Sequence, residues 1–199
     1  LKLEIILSGF GGQGILFAGN LLAQAGMVAG YNVTYLPVYG PEMRGGTCNC
    51  TVIISEKEIA SPLVKSPSFL VIMNYPSLKK FLPRLKRGGR AIINSDLVPS
   101  KNIENLTALK KKYNLYFVPV NSLAESIKMP FLANLCMIGA FYKITGLFSK
   151  EQFKKALKAI LGEKKAHLFE PNLKAFELGA EYIESSYSES KKCRRKSRG

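Results

Sequence analysis

From Ile5 to Pro41 the chain contains no Asp, Glu, Lys or Arg. A run this long without charge has to be buried along most of its length, because charged side chains are what usually keep an element's outer face in water. The run begins in "KLEIILS", whose β-branched and apolar residues favour a strand, and passes through "GFGGQG". It continues as "GILFAGNLLAQAGMVA", where Asn20 and Gln24 are the only polar side chains, and ends in "NVTYL". Strand, glycine turn, slim apolar helix and second strand together make a βαβ unit.

Gly9, Gly11 and Gly14 have the spacing G-x-G-x-x-G at the strand-to-helix turn. Glycines let the backbone come close to a phosphate there, and the helix N-terminus offers unpaired N–H groups and a partial positive charge. A nicotinamide site also needs an acid at the end of the second strand to hold the ribose, or an Arg there for a 2′-phosphate. Neither is present: after Glu4 the first acid is Glu42, inside the following loop. A stand-alone NAD(P)-dependent Rossmann oxidoreductase is therefore the weaker alternative. The helix at 14–29 has no charged outer stripe, so it is covered either by another chain or by this chain's own C-terminal helices.

Further strands are expected at "CTVIIS", "SFLVIMN", "RAIINS" and "LYFVPV", with a short strand or turn at "EIASPLV". Helices are expected at "SLKKFLPRLKRGG", broken by Pro83, and at the basic "IENLTALKKKY". Ser122-x-x-Glu125 and Ser149-x-x-Gln152 match the capping box, which predicts helix starts at both. Gly146 and Gly162 close two helices, and "PNLKAFELGAEYIESSY" makes the last. The fold class is α/β: a Rossmann-like, doubly wound, mostly parallel sheet with a helical C-terminal part. Residues 1–185 form one domain and residues 186–199 a basic flexible tail. Ligands of such sheets sit beyond the carboxyl ends of the strands, which places the glycine loop, the "YGPEMRGG" loop and Asn74 near one edge.

Little in the chain suggests chemistry of its own. Cys48, Cys50, Cys136 and Cys193 form no C-x-x-C pair and no metal framework, which argues against an iron–sulfur cluster held by this chain alone. Free thiols fit a reducing cytoplasm, and neither a signal peptide nor a membrane span is evident. The single histidine, His167, has no nucleophile elbow to serve and reads as a surface or packing residue. The loop "YGPEMRGGTCN" is the exception. Glu42, Arg44 and Thr47 lie on a Gly/Pro-stiffened segment next to charge-free sequence, so they contact an anionic ligand or another subunit, or else pair with each other. The net charge of +15 includes six cations in the last ten residues, which leaves nine on the body. That excess suits either an acidic partner or a solvated surface, and no nucleic-acid motif accompanies it.

The motifs "GFGGQG", "YGPEMRGGTCNCTVIIS" and "SPSFLVIMN", followed in order by "PFLANLCMIGAF" and "EPNLKAFELGAEY", resemble the gamma subunit of 2-oxoacid:ferredoxin oxidoreductases over about residues 3 to 185. The form of "YGPEMRGG" is most similar to the 2-oxoglutarate type, with pyruvate and branched-chain 2-oxoacid types as competitors. The resemblance implies an enzyme that oxidatively decarboxylates a 2-oxoacid to acyl-CoA and CO2 and reduces ferredoxin. It implies thiamine diphosphate and iron–sulfur clusters in other subunits, coenzyme A as substrate, and no cofactor held by this chain alone. The implied partners are alpha and beta subunits, a delta subunit where one exists, and ferredoxin through the holoenzyme, without nucleic acid or membrane. On this basis Gly9, Gly11, Gly12, Gln13 and Gly14 are candidate cofactor contacts. Tyr39, Glu42, Arg44, Gly45, Gly46, Thr47 and Asn134 are candidate partner or ligand contacts. No residue is assigned a catalytic or metal-ligating role.

Overall fold

The computed structural model describes the backbone of residues 1–38 and 47–196, and the side chains of 1–38 and 48–186. Among these residues a six-stranded sheet has the order β2-β3-β1-β4-β5-β6. Its strands are β1 (Lys2–Phe10), β2 (Asn32–Val38), β3 (Thr47–Ser55), β4 (Phe69–Ile72), β5 (Arg90–Asn94) and β6 (Asn114–Val118). β1, β4, β5 and β6 pair in parallel, while β3 runs antiparallel to both β1 and β2. The mostly parallel sheet agrees with the sequence reading.

The simple βαβ unit does not hold. α1 (Ile15–Val28) does lead from β1 to β2, but β3 folds back between those two strands. The end of β2 is therefore two strand spacings from β1, about 10 Å instead of about 5 Å. The segment "EIASPLV" forms no strand.

Both faces of the sheet are covered, which is why its strands read as apolar runs rather than alternating ones. On one face Ile5, Leu7, Cys50, Val52, Ile54 and Val71 pack beneath α1 and a group of C-terminal helices. These are α4 (Val120–Ser126), α5 (Ala133–Thr145), α6 (Lys150–Leu161) and α7 (Phe169–Lys196). On the other face Ile6, Leu70, Ile72 and Ile93 pack beneath α2 (Tyr75–Phe81) and α3 (Leu106–Lys112). The switch from one face to the other falls between β1 and β4.

α1 is sealed largely from within the chain. α6 packs along it, Ala18, Leu21, Leu22, Ala23 and Ala25 are buried, and only Met27 and Val28 stand clearly in solvent among its residues. Its small residues matter for contact with the sheet: a Cβ on Gly19 would lie 2.3 Å from Cys50 Sγ. The Ser149 capping box forms as expected, with Ser149 Oγ accepting from Gln152 N and Gln152 Oε1 accepting from Ser149 N. The one expected at Ser122 does not. α4 already begins at Val120, and Ser122 instead gives its N–H and Oγ–H to the Asp96 carboxylate at 2.9 Å each. α7 runs on through Lys196, past the point where the apolar pattern of the sequence ends. Among the described residues no helix is long and apolar enough to cross a membrane.

Candidate functional site

The carboxyl ends of β1, β4, β5 and β6 meet the glycine turn at one edge of the sheet, and every side chain there is held by a neighbour. The turn closes when Gln13 N–H donates to Phe10 O at 3.2 Å. Gln13 then folds its carboxamide back over the turn. Its Oε1 accepts from Phe10 N at 2.6 Å and from Asn74 Nδ2 at 3.4 Å. A Cβ on Gly9 would lie 2.6 Å from that oxygen and 2.9 Å from Met73 Cβ, so Gly9 is glycine to make room for Gln13 and the end of β4.

The other glycines of the turn answer different needs. Gly12 has φ 93° in open space, so it serves backbone conformation. Gly14 has φ 69° and also no room for a Cβ, because Asn134 Nδ2 would be 2.3 Å away. Gly11 is exposed with Gly12 at the tip. Gly14 caps α1 without a side chain, and the first turn of α1 holds no acid.

Asn134 is buried and hydrogen-bonded within the chain. It is 5% exposed, its Nδ2 donates to Gly14 O at 3.1 Å, and its Oδ1 accepts from Leu135 N at 3.0 Å. It ties the start of α1 to the start of α5, an internal role that burial and both hydrogen bonds support.

The switch between β1 and β4 is laced with buried polar groups. Ser8 Oγ donates to Ser77 Oγ at 2.8 Å, and Asn74 caps α2 by accepting from Ser77 N at 2.9 Å. One strand further on, Asn94 Nδ2 donates to Met73 O at 3.2 Å and to Asn121 Oδ1 at 2.8 Å, while Asn94 Oδ1 accepts from Asp96 N. The sequence reading did not single out Asn94, Asp96 or Asn121, and it read Ser122 only as a helix cap. The available signal was a polar residue ending an otherwise apolar strand, as in "AIIN".

Tyr39, Glu42, Arg44, Gly45 and Gly46 lie outside the described residues, as does the side chain of Thr47. Both anchors of their loop are described: Val38 at the end of β2 is in register with Asn49, and Thr47 at the start of β3 with Phe10. The loop therefore leaves and rejoins the sheet beside the glycine turn.

The described donor set does not fit an iron–sulfur cluster. Burial pushes the Cys50 and Cys136 thiols up to about 12, and half-buried Cys48 is raised by burial as well. No three His, Cys, Asp or Glu side chains among the described residues are grouped to hold a metal ion. His167 is exposed, on a 3-10 turn before α7.

Residues 4–182 match the model of the pyruvate ferredoxin/flavodoxin oxidoreductase family. The chain is 37% identical to the 2-oxoglutarate synthase subunit KorC of Methanothermobacter thermautotrophicus, over 92% of this chain and 96% of that one. It is 35% identical to the ketoisovalerate oxidoreductase subunit VorA of Methanothermobacter marburgensis, but spans only 36% of that protein. The keto/oxoacid ferredoxin oxidoreductase gamma subunit of Geobacter sulfurreducens superposes with a TM-score of 0.75 at 30% identity, over 92% of this chain and 99% of that one. The same fold recurs within a 2-oxoglutarate:ferredoxin oxidoreductase of Magnetococcus marinus, with a TM-score of 0.80 at 22% identity over 31% of that chain. With its motifs, its sheet and its length all accounted for by these relatives, the chain belongs to the pyruvate ferredoxin/flavodoxin oxidoreductase family, in the form that its gamma subunits take.

Proposed function

We propose that this chain works as the gamma subunit of a 2-oxoacid:ferredoxin oxidoreductase that converts 2-oxoglutarate, with coenzyme A, to an acyl-CoA and CO2. The observation that carries the reading is the end-to-end match to 2-oxoglutarate synthase subunits, 96% of the length of one and 94% of another. In that enzyme, thiamine diphosphate supplies carbanion stabilisation and iron–sulfur clusters accept the electrons, both in alpha, beta or delta subunits. Among the described residues the cysteines and carboxylates form no group that would hold a cluster, which supports a contact-making part for this chain.

Its working edge is the glycine turn together with the loop of residues 39–46. Gln13 takes up the Phe10 N–H that an incoming phosphate would otherwise find, and the intruding β3 moves the end of β2 out of reach of a ribose. The turn supports a subunit contact better than a dinucleotide. On this proposal Arg44, in the segment that joins β2 to β3, serves the contact with the alpha subunit or the approach of coenzyme A. Replacing Arg44 with Ala is expected to raise the KM for coenzyme A or to weaken assembly; an assembled variant with unchanged kinetics would remove this assignment.

The decisive experiment is purification at native expression, with identification of the bound chains and assay of 2-oxoacid-dependent viologen reduction. Co-purifying thiamine- and cluster-bearing subunits, and a kcat/KM for 2-oxoglutarate at least about tenfold above those for pyruvate and 2-ketoisovalerate, support the proposal. A preference for ketoisovalerate would move the chain to the VorA-like type, and recovery as a lone monomer would end the proposal.

A further inference from the structure

The positive charge of the body is confined to one side of the molecule. Residues 65–117 hold eleven Lys and Arg against two acids, Asp96 and Glu104, while the segments before and after them nearly balance up to the terminal basic run. These residues build the β4–β6 half of the sheet with α2 and α3, the helices of the second face. On the opposite face the cations are nearly matched in number by acids, and three of them are paired: Lys143 with Glu184, Lys150 with Glu177 and Lys154 with Glu151. On the second face Lys86 pairs with Glu4, and among the described residues no carboxylate pairs with Lys79, Lys80, Arg87, Lys110, Lys111 or Lys112. A merely solvated face mixes both signs about evenly; here cations outnumber acids eleven to two.

Between α2 and α3 runs a groove of about 410 Å³ with Pro83, Ile103 and Leu109 along it and one acid, Glu104, against the two lysines Lys79 and Lys112. Lys79 and Lys112 stand on its two sides, each lying over the aromatic ring beside it: Lys79 Nζ is 5.2 Å from the Tyr75 ring and Lys112 Nζ is 5.1 Å from the Tyr113 ring. An apolar floor whose rims carry two lysines against one acid, on a face with a large cation excess, favours an apolar side chain flanked by carboxylates. A nucleic acid would need open ring faces for stacking, and here lysines lie over the rings. A second copy of this chain would bring the same cations and be repelled.

We propose that the α2–α3 face is a docking surface for another subunit of the same enzyme, which inserts an apolar segment flanked by Asp and Glu between Lys79 and Lys112. This rests on the gamma-subunit reading and adds a second contact to it, on the side of the sheet away from α1.

The test is carbodiimide cross-linking of the natively purified complex, which joins a lysine directly to a carboxylate in contact with it, followed by peptide mass spectrometry. Links from Lys79, Lys80 or Lys110–Lys112 to Asp or Glu of one other subunit are expected. In parallel, the Lys79→Glu/Lys112→Glu double variant, co-expressed with its partners, should lower retention in the complex by about tenfold or more. The control Lys164→Glu, an exposed site beyond α6, should leave retention unchanged. Partners that co-purify without such links, with the double variant fully retained, would overturn the docking surface and leave the gamma-subunit reading intact. Protection of these lysines by added oligonucleotide instead of by a subunit would also overturn it. Absence of any partner would count against the gamma-subunit reading itself.

Discussion

Gln13 and Asn134 show how the glycine turn differs from the motif its spacing suggests. G-x-G-x-x-G is legible in the sequence, but a carboxamide reaching back from the third residue of "GGQG" cannot be read from spacing. Nor can an asparagine arriving from α5, 120 residues later. Both follow from close approach: Gly9 and Gly14 lack a Cβ because those two amides lie there. Asn134→Ala would leave Gly14 O with only its helical partner, Ala18 N, and leave Leu135 N unpaired near the core. The expected loss is about 1–3 kcal/mol in urea unfolding, without change in m-value. At the other end of β1, burial opposes ionisation of Glu4, yet hydrogen bonds from Lys86 and Lys2 outweigh it and hold its carboxyl below the ordinary 4.5. A carboxyl lowered in the folded state stabilises fully above its unfolded value, and that contribution fades as pH falls through the lower, folded value. A Tm profile taken downward from pH 6 should therefore drop less steeply below about pH 4.5 for Glu4→Gln than for the parent chain. A parallel drop would mean that the Glu4–Lys86 contact contributes no linkage.

At the scale of elements, the crossing of α5 and α7 is the tightest contact in the fold. A Cβ on Gly139 would lie 1.8 Å from Phe176 O, and one on Gly179 1.8 Å from Cys136 O, so the two helices touch backbone to backbone through reciprocal glycines. Around this contact Phe153 and Phe176 stack with centroids 3.7 Å apart, which ties α6 to α7 as well. Gly→Ala within a helix ordinarily gains up to about 1 kcal/mol. Gly139→Ala should reverse that sign and cost about 3 kcal/mol or more, because main chain rather than a flexible side chain must give way. Urea denaturation of Gly139→Ala beside Ser149→Ala gives an internal scale, since loss of the α6 cap should cost about 1 kcal/mol. A Gly139→Ala loss no larger than the cap loss would show that the helices can separate freely. The sequence announced most of these helices through capping residues and terminal glycines. It gave no warning at Ser122, whose S-x-x-E pattern is overridden because Asp96 reaches its N–H first.

At the scale of the whole molecule, the strand order decides what the glycine turn can be used for. Six apolar runs and two helical layers could be anticipated from residue patterns, because both faces of the sheet are buried and its runs are punctuated by Gly, Pro and Asn. That "CTVIIS" runs antiparallel between β1 and β2 could not. An apolar run buried on both faces carries no mark of its direction or its neighbours, and the loop that turns it back is too long to fix a hairpin register. The intrusion has a measurable consequence. In a dinucleotide fold the acid on the ribose stands at the end of the strand next to β1; here that neighbour is β3, which presents its start, Thr47, at that edge. The end of β2 lies about 10 Å from β1 and has no acid in any case. The full chain should therefore show no thermal shift with NADH or NADPH. A genuine site with the ligand at about a hundred times Kd would add about 2.7 kcal/mol of stability. For a chain of this length that corresponds to a rise in Tm of about 5–10 °C, well above the error of a scan. A rise of that size with NADH, abolished by replacing Gly12 with Val at the open tip of the turn, would mean that the turn binds a nucleotide despite β3. It would also mean that the residues 39–46 supply the ribose contact that the rest of the sheet lacks.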